Sequence, residues 1–208
     1  VDITDSAKET LTIKHTSNVK FADGTKVKVK ELDINTQETG VLKISGVSAE
    51  KITVNAPNAD VVLNGVEVKE NTSLTSHLED VGTLEVIDIL DGTLTLSNGT
   101  EVDNLIVKDS NAGAIKLEGD AKVTDSFVID TTGTITLEGA SAGEITKGVT
   151  IKKACTLHVK DATSQFIVKI DKTSVDPKNV TITEDKNGSV DVKDSDSNTI
   201  ADFKVKPE

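Results

Sequence analysis

Apolar and polar residues alternate in short bursts along this chain, and the bursts return at a fixed interval. One series reads GVLKI (40–44), DVVLN (60–64), GTLEV (82–86), NLIVK (104–108), SFVID (126–130) and GVTIK (148–152), with starts 20, 22, 22, 22 and 22 residues apart. A second series falls between them: KITVN (51–55), TSLTS (72–76), GTLTL (92–96), GAIKL (113–117), GTITL (133–137) and CTLHV (155–159), with starts 21, 20, 21, 20 and 22 apart. Within each burst every second residue is apolar. That predicts a strand with one face toward a core and the other toward water. Two such strands in every ~21 residues, about six times over, predict a solenoid in which each unit packs chiefly on its neighbours. Ile, Leu and Val at equivalent places would stack in ladders.

Between the bursts lie Gly, Asn, Asp and Ser, the residues that turn a chain. In GTLTLSNGTEVDNLIVKDSNAGAIKLEG (92–119), Asn98-Gly99 is the strongest short hairpin signal in the sequence. A hairpin meander or β-sandwich gives no reason for a repeated ~21-residue period, whereas a coil does, so Asn98-Gly99 reads as a corner. VEV (66–68) and EVDNL (101–105) hint at a third strand per coil and a triangular cross-section. The ends depart from the period. Residues 1–37 read as an N-terminal cap, residues 38–160 as the β-helix, and residues 161–208 as a C-terminal cap or a small antiparallel β module. Exposed solenoid ends are open sheet edges that natural chains cover.

The coil pattern of VNAPNADVVLNGVEV (54–68), GTLTLSNGT and GTITLEGAS resembles the right-handed parallel β-helices of bacterial cell-surface and S-layer-type proteins, over roughly residues 38 to 160. The resemblance implies an all-β, right-handed parallel β-helix that is secreted or displayed on a bacterial surface. Its implied role is a non-catalytic structural or adhesin-like binding module, with a glycan or a host or cell-wall surface ligand as partner. The alternative it implies is a polysaccharide-binding or polysaccharide-degrading protein of the same fold, a lyase or a hydrolase.

Composition agrees with an aliphatic β core. Aromatics are 2% of the chain, four Phe with no Tyr or Trp. All 23 cationic residues are Lys, and against 35 acidic ones the net charge is −12. Such a surface repels phosphate backbones and lacks the Arg forks that grip them, so nucleic acid is a poor partner. Acidity also keeps an all-β protein soluble. No apolar run approaches the ~18 residues of a membrane-spanning helix, so membrane insertion is not expected. The chain starts at Val1 and holds no Met, which reads as a processed piece with any secretion signal removed. Cys155 is the one cysteine; it stands in the strand-like KKACTLHV and reads as a buried, inert thiol.

Candidate chemistry is sparse. For the lyases the resemblance implies an Arg or Lys base beside a calcium-binding acidic cluster, and the chain has no Arg. A hydrolase needs two carboxylates at a set separation. Glu85, Asp88, Asp91, Glu101, Asp103 and Asp109 are the candidate acids, and solvated turn or strand positions account for them as well. Calcium is the one cofactor the pattern offers. Asp194, Asp196, Asn198 and Asp202 place oxygen ligands as in the first half of a calcium loop, but the turn Gly is missing and Val205 stands where the closing Glu belongs. DKNGS (185–189) is similarly partial. Thr93/Thr95 and Thr134/Thr136 suggest a Thr-x-Thr ice-binding array that Lys116 and His158 interrupt. His15, His77 and His158 lack metal-ligand spacing, and Phe127 and Phe166 fall in strand patterns that suggest core.

Overall fold

The computed structural model describes residues 10–14, 18–20, 27–69, 82–108, 113–141, 143–186 and 188–208. The first strands are β1 (Thr10–Ile13), β2 (Asn18–Lys20), β3 (Val27–Asn35), β4 (Gly40–Ser45), β5 (Val47–Asn55), β6 (Ala59–Asn64) and β7 (Glu67–Val68). The middle of the chain supplies β8 (Thr83–Asp88), β9 (Thr93–Ser97), β10 (Glu101–Lys108), β11 (Gly113–Glu118), β12 (Lys122–Asp130) and β13 (Thr134–Glu138). Then come β14 (Val149–Ile151), β15 (Thr156–Lys160), β16 (Phe166–Ile170), β17 (Thr181–Glu184), β18 (Val190–Asp194) and β19 (Lys206–Pro207). A 3₁₀ turn, Pro177–Asn179, precedes β17.

Successive strands alternate between two sheets, except that β7 and β8 both join the first, and among the described residues every strand-to-strand ladder is parallel. One sheet runs β1-β3-β5-β7-β10-β12-β14-β16-β18, with β8 also between β5 and β10; the other runs β2-β4-β6-β9-β11-β13-β15-β17-β19. This is a parallel β-solenoid of about eight coils at ~22 residues each. With strands ~4.8 Å apart, the stack is on the order of 38 Å long. Among the described residues no helix is long and apolar enough to cross a membrane.

The alternation read from the sequence becomes stacked ladders. In the first sheet, register places Ile13, Ile34, Val54, Val86, Val107, Ile129, Ile151 and Ile170 in one inward column. Leu42, Val61, Leu94, Ile115, Leu137 and Val159 form the matching column of the second. All fourteen are buried and belong to one continuous core. Each contributes about 1.5–3 kcal/mol by leaving water, and identical spacing lets neighbouring side chains adopt the same rotamer.

The corners obey a rule as well. A residue with left-handed backbone follows each second-sheet strand from β4 to β15: Gly46, Gly65, Asn98, Gly119, Gly139 and Asp161. Asn98 (φ 44°) and Gly99 (φ 75°) therefore form a corner, and β9 and β10, which they join, lie in different sheets. The hairpin they suggest does not form.

The suspected third strand is present as a separate run within the first sheet: Glu67 and Val68 of β7 pair with Glu101 and Val102 at the start of β10, β8 pairs with the rest of β10, and a register shift between Val102 and Asn104 divides the two runs. Two expectations change. The ladders extend beyond the boundaries expected at residues 37 and 160. β1 pairs in parallel with β3, and β16, β17, β18 and β19 continue both sheets. The coils there run 19 to 25 residues (Val149 to Val168, Thr156 to Thr181), which hid them from a strict period.

Finally, the two sequence series cross over. Ile52 pairs with Leu84, 32 residues on, and Val61 with Leu94, 33 on. The excess over ~22 is half a coil, so GVLKI and DVVLN share a sheet with GTLTL, while KITVN shares one with GTLEV. TSLTS (72–76) lies outside the described residues.

Candidate functional site

The outward face of the first sheet carries a groove near its C-terminal end. Its floor follows from the register. Val149 pairs with Val168 and Phe166 with Val190, which aligns Gly148 with Ile167 and, one coil on, Ile167 with Asp191. Gly148 has φ 80°, and a Cβ there would stand 2.4 Å from the Ile167 carbonyl oxygen. Around Gly148 lies a depression of about 490 Å³. Ile145, Thr146, Lys147, Gln165, Phe166, Ile167, Lys169 and Asp191 complete its lining. The size falls in the range of small-ligand sites.

Its electrostatics are uneven. Lys147 pairs with Asp125, and Asp191 lies 3.4 Å from Lys193. Lys169 has neither an ion pair nor a hydrogen bond among the described residues, and it is half-buried. Its row continues through Thr150 on one side and Lys193 on the other, so no carboxylate faces it along the register. Ile167 is 40% exposed, one of four large apolar side chains open to water among the described residues. Glu144, beside Ile145, holds Oε2 enclosed with no hydrogen-bond partner among the described residues, but it does not line the groove.

The acids weighed as catalytic do not gather at the groove. Glu85 sits on the outward face of the first sheet between Lys108 (3.5 Å) and Lys51 (3.8 Å). Glu101 pairs with Lys69, and Asp103 accepts a hydrogen bond from the Thr124 hydroxyl at 3.1 Å. Asp88 accepts the Leu90 N–H at 3.2 Å, and Asp91 is exposed in the same turn. Asp109 lies outside the described residues, as do His15 and His77.

The calcium-like segment has a structural use of its own. Asp194 is the next residue in the inward column after Ile170, and it is 2% exposed. Its carboxylate accepts the N–H groups of Asp196 (3.0 Å) and Asn198 (2.8 Å) and the Asn198 side-chain amide (3.4 Å), and pairs with Lys172 at 2.7 Å. The Lys172 ammonium, then the Asn198 N–H, hold its carboxyl down at about 2. Asp196, Asn198 and Asp202 are exposed. Among the described residues no group of three or more His, Cys, Asp or Glu side chains is arranged to hold a metal.

The second sheet ends the same way. After Val159 its inward column continues with Glu184, 6% exposed. Glu184 accepts the N–H groups of Gly188 (2.7 Å) and Val190 (3.0 Å) and the Ser189 hydroxyl (2.9 Å). The Gly188–Ser189 end of DKNGS is thus organised by the Glu184 carboxylate just before it. Both apolar ladders terminate on a buried acid that binds the backbone of the next turn.

Other residues fall where their patterns put them. Phe127 and Phe166 are buried. Cys155 is 4% exposed, and burial pushes its thiol up to about 11. Register stacks Thr93 on Ala114, Thr136 and His158, and Thr95 on Lys116 and Glu138, so the two Thr-x-Thr pairs are offset and build no array. His158 Nδ1 lies 2.6 Å from the Thr183 hydroxyl. Sequence reasoning missed the groove entirely. Its one signal was a Gly at an outward position, indistinguishable in sequence from a corner glycine. No family model matches the chain, nor does any curated protein or solved structure.

Proposed function

We propose that the chain is a non-catalytic, structural or adhesin-like binding module of a secreted or cell-surface protein, of the S-layer-like kind that its coil pattern resembles. The observation that carries this reading is the continuity of the two parallel ladders from β1 to β19. Stacked coils that share one core resist bending and present long outward rows of Thr, Lys, Asp and Glu. In such a surface, affinity arises from many weak contacts on a pre-formed scaffold, with little ordering cost. The internal pairing of Glu85, Glu101 and Asp103 supports the same reading, because a carboxylate held by Lys or Thr serves the scaffold.

A glycan and cell-wall binding panel, run alongside a reducing-sugar release assay on the same polysaccharides, tests it. Retention on a surface ligand without release of reducing ends is the expected result. Release of reducing ends that tracks the purified protein would overturn the reading in favour of a polysaccharide-degrading β-helix.

A further inference from the structure

The groove over Gly148 combines features that specify a ligand, and this inference rests on reading the chain as a binding module. We propose that the groove seats a short peptide segment in which an acidic residue neighbours an aliphatic one, the carboxylate on Lys169 and the aliphatic side chain on Ile167.

Three observations select that chemistry. Among the described residues Lys169 makes no ion pair, although Asp191, held by Lys193, lines the same groove, and the half-buried setting of Lys169 lets a carboxylate form a stronger bond than it would on the open surface. Beside it, Ile167 leaves 40% of its surface in water, and it is the open apolar surface of the groove, since Ile145 and Phe166, which also line it, are buried. A sugar ring prefers an aromatic platform, and the chain has neither Trp nor Tyr, while Phe127 and Phe166 are in the core. Gln165 and Asp191 supply acceptors for backbone N–H groups, which a peptide has and a simple carboxylic acid lacks.

The position along the rod also matters. Residues 1–143 carry 12 Lys and 24 acidic residues, a balance of −12, whereas residues 144–208 carry 11 of each. The whole net charge therefore lies before the groove-bearing end. An acidic ligand is repelled by the body and tolerated at this end, within roughly the 8–10 Å over which salt leaves charges effective.

The test uses the full chain and an array of capped tetrapeptides in which Asp or Glu adjoins Val, Ile or Leu, with matched Asn and Gln versions, read by fluorescence anisotropy. Acidic members should bind about tenfold or more tighter than their amide counterparts, as expected for one charge-assisted hydrogen bond. Lys169→Met should erase that difference, and Ile167→Thr should weaken acidic and amide peptides alike. Both side chains point outward, so thermal melts of the two variants should match the parent. Equal binding of acid and amide, or no member binding at all, overturns the proposal. So does a uronic-acid oligosaccharide that binds through Lys169 where peptides do not. Reducing-sugar release would sink the binding-module reading whatever the peptides do, whereas surface retention without peptide binding sinks the groove assignment alone.

Discussion

Glu184 offers the sharpest test of how the solenoid ends. It occupies the place in the second sheet's inward column where every coil from β4 to β15 has Leu, Ile or Val. Glu184→Ala removes the acceptor for the Gly188 and Val190 N–H groups and the Ser189 hydroxyl. Orphaning a buried donor costs about 1–3 kcal/mol, and part of the turn can rehydrate, so a net loss of about 2–3 kcal/mol is expected for this coil. Because coils contact chiefly their neighbours, the loss should stay local. Hydrogen exchange read by NMR is the assay. The amides of Gly188 and Val190 should exchange about 30- to 160-fold faster, the conversion of that free energy, while Leu94 and Ile115 amides keep their protection. Unchanged exchange at Gly188 and Val190 would refute the capping role. An equal loss across all coils would refute the nearest-neighbour picture.

Three further outcomes follow from the same geometry. Thr100 is fully buried in mid-stack, and its hydroxyl accepts the Val66 N–H at 3.3 Å while lying 3.0 Å from the Leu63 carbonyl. Thr100→Val should lower stability by about 1–3 kcal/mol, read as a reduced urea midpoint with an unchanged slope; an unchanged midpoint would show that the hydroxyl does not tie the coils. Cys155 should resist alkylation in the native protein and react on unfolding, so rapid native labelling would contradict its buried position. Asp194, held down at about 2, should titrate near that value by NMR. Its stabilising effect is then fully present above the ordinary carboxyl range near 3.9 and is lost as pH falls toward about 2. Lys172→Met should raise the midpoint, and no movement would deny the ion pair its role.

What could be read in the sequence was whatever repeats. The alternation in GTLTL, GAIKL and GTITL led directly to the buried column Leu94–Ile115–Leu137, because period-2 patterning and a fixed coil length leave one register that buries it. The pairing of GVLKI with GTLEV failed because an insertion of half a coil keeps the interval between bursts while exchanging their sheets. Spacing alone cannot detect that. Asp194 and Glu184 illustrate a different limit. Each stands in the apolar phase of its strand, VDVKD and TITE, and that phase was the available clue that the acid points inward. The spacing of oxygen-bearing residues suggested calcium instead, since turn-capping and metal-binding carboxylates share Asp-x-Asp-x-Asn chemistry. The groove was illegible because it depends on what lies across two coils from Gly148, and on Lys169 having no ion pair among the described residues.

Cross-strand NOEs around β9 and β10 test the central claim most directly. A parallel two-sheet solenoid predicts contacts from Leu94 to Val61 and Ile115, and from Leu105 to Leu84 and Phe127, in the pattern of parallel strands. Antiparallel contacts between residues 93–97 and 101–108 across Asn98-Gly99, with none at the coil spacing, would contradict it.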